Sequence, residues 1–416
     1  MIKASLIDYI FKSASISRWN DYPKTVNLVE LDKQAHKFII AYFIAKHENS
    51  VNMRNLIECG IFEFLGRVAV TDIRPDVFHH MQLTRSKEIN EWIIHKLEDD
   101  LSTIDEGKFL TKFKEYMRNS EANKFERKIL RAASYLATRW EFNIVYQNSK
   151  FLSDIEDIKS QVEEEIEDYY EFIAVNKIAM NKKLAKIVDL SGRLRFQKRW
   201  AQTPRIPETA VLGHMLVVAI FAYFYSLKVG AKDKRAEFNF YCALFHDLPE
   251  SLTRDIISPV KYGIEGLNEI IGEYEMRLID ERILPFVPDF MRGEFAYILG
   301  IYQENGKFHK DEFKNRTFEN EIKLTDGTMT QFNDDKFRAI DGKALKYCDK
   351  MAAFVEAGLS ISYGVKSKEL SDGFAGMKEF FKENPKIEGV DFYEICEDFC
   401  EYFGLKNPSQ DCCGTH

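Results

Sequence analysis

The chain has 416 residues, of which 45% are hydrophobic and 30% charged, the make-up of an ordinary soluble protein with room for two or three domains. Its 58 basic and 66 acidic side chains give a net charge of −8, which does not favour binding an extended nucleic acid. No uninterrupted run of 18 apolar residues occurs and the first residues are too polar for a signal peptide, so a cytoplasmic protein away from the membrane is expected. Seven cysteines, at 59, 242, 348, 396, 400, 412 and 413, form no disulfide framework and match no zinc spacing. They read as free thiols.

Apolar residues recur at helical spacing in nearly every long segment, as in His36–Ala45, Ile129–Val145 and Val211–Leu227. Strand-like alternation is scarce, so the fold class is all-α. Residues 1–150 form a first helical domain. Residues 151–187 begin acidic and turn basic, the pattern of one long, partly solvated helix joining two halves. Residues 188–400 form a second domain, followed by a tail at 401–416.

The two domains share a weak internal repeat. Ile16-Ser-Arg-Trp-Asn-Asp-Tyr-Pro23 and Gln197-Lys-Arg-Trp-Ala-Gln-Thr-Pro204 each precede an apolar helix, one containing His36 and the other His214. Ile61–Ile73 runs beside Leu244–Ile256 without a gap, and Leu130–Ala137 matches Leu345–Ala352. Three matches in the same order indicate two copies of one helical domain. On this alignment Glu63 faces His246, Phe64 faces Asp247, Arg67 faces Glu250, Ser134 faces Asp349, and His36 faces His214. Phenylalanine ligates no metal, so the first copy keeps the fold and loses the site.

In the second copy, His214 and Asp349 sit inside apolar helical patterns, where a carboxylate needs a cation or a metal as partner. The order His214, His246-Asp247, Asp349 resembles the HD-domain metal-dependent phosphohydrolases. With Arg199-Trp200, Glu208, Glu250, Asp255 and Pro259-Val260-Lys261 around it, the set is similar to the HD-domain 5'-deoxynucleotidases in particular. The resemblance covers roughly residues 190–365. It implies two tandem HD-domain bundles, the first degenerate, with His214, His246, Asp247 and Asp349 as metal ligands. It further implies catalytic roles for Glu250 and Asp255, orienting water or protonating the leaving oxygen.

Arg199 suits the grip on a phosphate, Lys261 adds a point charge, Trp200 is a candidate wall for the sugar or base, and Glu208 a partner of Arg199. Two imidazoles and two carboxylates suit Mn, Co, Fe or Zn, and the few histidines after residue 150 favour a single divalent ion.

The expected function is metal-dependent hydrolysis of the 5'-phosphate of a (deoxy)nucleoside monophosphate. The alternatives are a phosphodiesterase or triphosphohydrolase acting on a signalling nucleotide or dNTP, and a non-catalytic nucleotide-binding sensor or scaffold. A polar insertion near 305–342 lengthens the chain between Asp247 and Asp349 and is expected to be a lid, hairpin or interface. The first half is expected to pack on the second as an intramolecular pseudo-dimer, with a homo-oligomer left open and a small-molecule nucleotide as partner.

Overall fold

Helical spacing in the sequence becomes helix throughout the computed structural model, which describes residues 2–254 and 266–405. The first half supplies α1 (Ala4–Lys12), α2 (Glu30–Lys46), α3 (Met53–Val70), α4 (Pro75–Leu101), α5 (Lys108–Arg118) and α6 (Lys124–Ser149). Three short helices follow: α7 (Ile155–Glu167), α8 (Ile173–Ala179) and α9 (Lys183–Arg193). The second half contains α10 (Val211–Lys228), α11 (Asp233–Phe245), α12 (Glu250–Thr253), α13 (Leu267–Arg282), α14 (Asp289–Ile298), α15 (Gly342–Ser362), α16 (Lys368–Glu383) and α17 (Phe392–Tyr402).

The segment at 151–187 is therefore not the single long helix expected from its charge pattern. It breaks after Glu167, where Tyr169 and Phe172 turn into the core, and again after Ala179, where Asn181 takes a left-handed φ of 53°. A left-handed residue cannot continue an α-helix.

The insertion near 305–342 folds as two small antiparallel hairpins. Strands β1 (Ile301–Glu304) and β2 (Lys307–Lys310) turn at Asn305-Gly306, both at positive φ, as a tight hairpin requires. Strands β3 (Arg316–Phe318) and β4 (Ile322–Leu324) form the second. Fully buried Arg316 fixes this region by donating to the carbonyls of Tyr297, Glu312 and Lys314.

One hydrophobic core runs through both halves. Helix α2 lies on α10 and α3 on α11, with the rings of Phe38 and Phe240 5.3 Å apart and those of Tyr42 and Tyr241 4.6 Å apart. Gly213 of α10 permits the approach, since a Cβ there would come 2.8 Å from Asp32 and 2.9 Å from Leu31 of α2. Polar contacts cross the same seam: Tyr223 donates to Glu58 (2.7 Å) and Lys46 pairs with Glu237 (2.8 Å). Helix α10 is apolar on every face and 94% buried, packed between α2, α11 and α15. A helix without a polar face has to be covered all round.

The chain also repeats a local geometry at a fixed spacing. Backbone bridges join Ser17 to Val29 and Lys198 to Ala210, a shift of 198 − 17 = 210 − 29 = 181. At the same shift, Glu30 N–H donates to Ile16 O (2.9 Å) and Val211 N–H to Gln197 O (2.8 Å), capping α2 and α10 alike. Trp19 and Trp200 both hold positive φ, 58° and 55°, a conformation that is rare for an aromatic residue. This register corrects one expectation: 214 − 181 = 33, so Lys33, and not His36, stands where His214 stands.

Candidate metal centre

Four donor residues reach one buried point from three helices. His214 enters from the first turn of α10, His246 caps the end of α11, Asp247 follows it, and Asp349 projects from α15. Among the described residues, donor atoms of His214, His246 and Asp247 lie within 4.8 Å of one another. Asp349 Oδ1 completes the group, 2.9 Å from His214 Nε2 and 3.9 Å from His246 Nε2. Ligands of one ion at 2.0–2.2 Å sit roughly 3–3.5 Å apart, so the spacing is of the right order.

The outer contacts fix which ring nitrogen faces inward. His214 Nδ1 lies 3.2 Å from Glu356 Oε1 and His246 Nδ1 lies 2.7 Å from Ala243 O. Both partners are acceptors, so each Nδ1 can keep its proton while each Nε2 faces the centre, where a bound cation would take its lone pair. His246 Nε2 is buried without a hydrogen bond, although Asp247 Oδ2 is 3.1 Å away. An orphaned inward lone pair beside two carboxylates fits a divalent cation.

Electrostatics point the same way. Burial opposes charge on His246, yet the charges of Asp247 and Asp349 push it up to about 9. Burial likewise raises Asp247, but His246 pulls it well below the usual carboxylate range, and Asp349 is lowered despite burial by its bond to His214. Two carboxylates that draw protons onto neighbouring imidazoles are calling for positive charge, and a metal would displace those protons.

The remaining expected residues divide. Arg199 is near the centre: its charge acts on His214, Asp247 and Asp349, and its Nε lies 3.9 Å from Glu356 Oε2. Glu250 opens α12, its N–H bonded to Asp247 O (3.0 Å) and its carbonyl accepting from Gln197 Nε2 (2.9 Å). It does not share a helix with His246, because α11 ends at Phe245. Trp200 donates from its indole to Glu356 Oε2 (3.2 Å), and its ring lies against Gly373 of α16, contacts that brace the frame. Glu208 does not pair with Arg199. It forms an exposed ion pair with Lys198 at 2.7 Å, and Glu356 takes the role foreseen for it. Asp255, Pro259, Val260 and Lys261 lie outside the described residues.

Two residues near the centre escaped the sequence reading. Glu356, fully buried, receives His214, Trp200, Thr209 and Arg205, and is held well below the usual range by Arg205 and His214 despite burial. Its signal was available: it lies seven residues after Asp349, on the same face of α15. Lys310, on β2, pairs with Glu312 (2.8 Å) and Glu275 (3.3 Å), and Asp247 acts on its charge. Phe313 in the same segment faces the His246 ring at 6.3 Å. The insertion thus borders the centre.

The corresponding places in the first half carry other chemistry. Lys33 Nζ donates to Ser134 Oγ (2.6 Å), a contact matching that of His214 with Asp349. Trp19 donates to Glu141 Oε2 at 3.2 Å, as Trp200 does to Glu356, and 141 + 215 = 356 follows the 134 + 215 = 349 spacing. Arg18 and Arg195 both bond Glu141 (2.8 Å each), while Glu63 receives Lys37 and Tyr116. Burial lowers Lys33 to about 7. His36 is a core residue, bonded to Val188 O (2.9 Å) and lowered to about 3 by burial and Arg195.

With this geometry in place, residues 191–378 match the family model described as HD domain. Residues 191–378 form an HD domain. The four donors all fall inside it, as does Glu356, whereas the Lys33 cluster precedes it. Part of the chain is also similar to a 5'-deoxynucleotidase of Enterobacter sp. (strain 638), 28% identical over 117 residues, 27% of this chain and 57% of that protein. The match spans little more than half the length of this relative. HD domains are metal-dependent, and His214, His246 and Asp247 form a group that could hold such an ion.

Proposed function

We propose that the chain is a metal-dependent nucleotide phosphohydrolase, in the simplest case removing the 5'-phosphate of a (deoxy)nucleoside monophosphate. The observation that carries this reading is the convergence of His214, His246, Asp247 and Asp349 on one buried point beside Arg199. The relative named a 5'-deoxynucleotidase supports the choice of substrate. A single divalent ion held by the four donors would supply Lewis acidity and a water acidic enough to ionise near neutral pH.

The chain's own groups do the rest. Glu356 and Ala243 O hold the two imidazoles with Nε2 inward. Arg199, partly exposed beside the centre, offers a planar fork to phosphate oxygens. Glu250, three residues after Asp247, is the candidate in this reading to accept or return a proton. We further read the two halves as copies of one unit packed as an internal pseudo-dimer. The support is the pair of shared spacings and the common core.

The test is phosphate release from a panel of nucleoside mono-, di- and triphosphates and a cyclic dinucleotide, with Mn²⁺ or Co²⁺. Release from monophosphates alone is expected; tripolyphosphate from a triphosphate would move the assignment to the triphosphohydrolase reading, and a linear nucleotide from the cyclic dinucleotide to the phosphodiesterase reading. A metal-loaded protein that releases nothing, with Asp247→Ala behaving identically, would sink the enzyme reading. Ligand-induced thermal stabilisation without turnover would leave the sensor.

A further inference from the structure

The first half carries a cation at the place of one donor and another at the place of Glu250, while Glu63, Phe64 and Ser134 stand at the other three donor positions. Lys33 stands at the place of His214, and Arg67 at that of Glu250, 183 residues on, while Arg18 keeps the place of Arg199. Arg18 and Arg67 share one carboxylate, and Arg18 also bonds Glu141 Oε2 at 2.8 Å. Arg18 Nη1 and Arg67 Nε lie 2.9 and 3.5 Å from the same oxygen, Glu30 Oε2, and Arg18, Lys33 and Arg67 together hold Glu30 down to about 2 despite its burial.

The cluster is reachable: the Arg18 and Arg67 side chains retain 13% and 20% of their exposure. About one turn along α3 from Arg67, a cavity of about 530 Å³ opens between α3 and α4, lined among others by Thr71, Ile73, Ile89, Trp92 and Lys96. That volume suits a small organic ligand, and an exposed tryptophan suits a base.

We infer that the first half is a second, metal-independent binding site for a nucleoside monophosphate. Arg18 and Arg67 take the phosphate, and Trp92 faces the base. The assignment rests on the reading of the two halves as copies, and is independent of whether the second half turns substrate over. Such a site would let nucleotide concentration act on the enzyme through the shared core.

The experiment uses full-length Asp247→Ala protein stripped of metal with EDTA, titrated calorimetrically with 5'-dAMP and separately with inorganic phosphate. Saturable 5'-dAMP binding is expected, weakened at least tenfold by adding Arg67→Gln and unchanged by adding Arg199→Gln. Trp92→Ala, on an exposed side chain, should weaken 5'-dAMP and leave inorganic phosphate unaffected, which keeps the test alive should Arg67→Gln fail to fold. Absence of binding to the stripped protein would overturn the site, as would binding abolished by Arg199→Gln and indifferent to Arg67 and Trp92. Turnover by the metal-loaded wild type is read separately, so the failure of either proposal is distinguishable from failure of the other.

Discussion

Glu141 and Glu356 occupy matching places in the two halves, and each receives a tryptophan indole at 3.2 Å. One then bonds Arg195 and the other His214. The arginine, the tryptophan and the buried glutamate form a frame that both halves keep; the glutamate's remaining oxygen meets a guanidinium in the first half and an imidazole of the donor cluster in the second. Fold and chemistry are therefore separable within one molecule, and few side chains separate them.

The sharpest way to break this contrast is at the donors themselves. Asp247→Ala or Asp349→Ala should lower phosphate release by roughly a thousandfold or more. Bound metal should fall from one ion per chain to none by elemental analysis; two ions in the wild type would overturn the single-ion reading. Next in size, Glu141→Gln should cost about 3–5 kcal/mol in urea unfolding, because it strips a buried charge from Arg18 and Arg195. Turnover per folded molecule should survive.

Glu356→Gln should carry a similar stability cost through Arg205 and in addition weaken metal affinity by about 10–100-fold, since His214 exchanges its carboxylate partner for a neutral amide. A chelator competition would measure this. If both glutamates acted only on stability, the division of labour would be wrong.

A smaller effect depends on pH. Burial raises Asp32 to about 7, with Glu141 adding to the rise and Arg195 opposing it. Between its unfolded value near 3.9 and 7, the folded chain holds a proton that the unfolded chain has released. This stabilisation is full below the unfolded value and is lost as pH rises through 7, at up to about 1.4 kcal/mol per unit. Urea midpoints at pH 5 and pH 7 should show this decline in the wild type and not in Asp32→Asn. Equal slopes would show that Asp32 is ionised throughout. The smallest expectation is for Glu208→Gln, which breaks an exposed pair with Lys198 and should shift stability by no more than about 0.5 kcal/mol and leave KM alone.

The four donors were legible because their residue types and order are unusual inside apolar helices. Glu356 lay in the same kind of pattern but belonged to no motif, and its value appears only once His214 Nδ1 is seen against it. The mistaken pairing of His36 with His214 has a plain cause. The true partner, Lys33, lies 36 − 33 = 3 residues earlier, and a shift of nearly one helical turn keeps the apolar face in place. Periodicity cannot resolve such a slip, whereas backbone bridging can.

The charged run at 151–187 hid two breaks for a related reason. Charge marks solvation, but the chain turns where Tyr169 and Phe172 seek the core. The hairpins of the insertion have strands of only three or four residues, too short for alternation to register.

Helix α10 has the length and apolarity of a membrane-crossing segment, yet 94% of it is buried in protein. Part of that cover is α2, which lies well before residue 191, where the recognised domain begins. A gene trimmed to the recognised domain would express a protein with this flank bare to water, prone to aggregate. The domain's solubility is thus lent to it by residues that precede it.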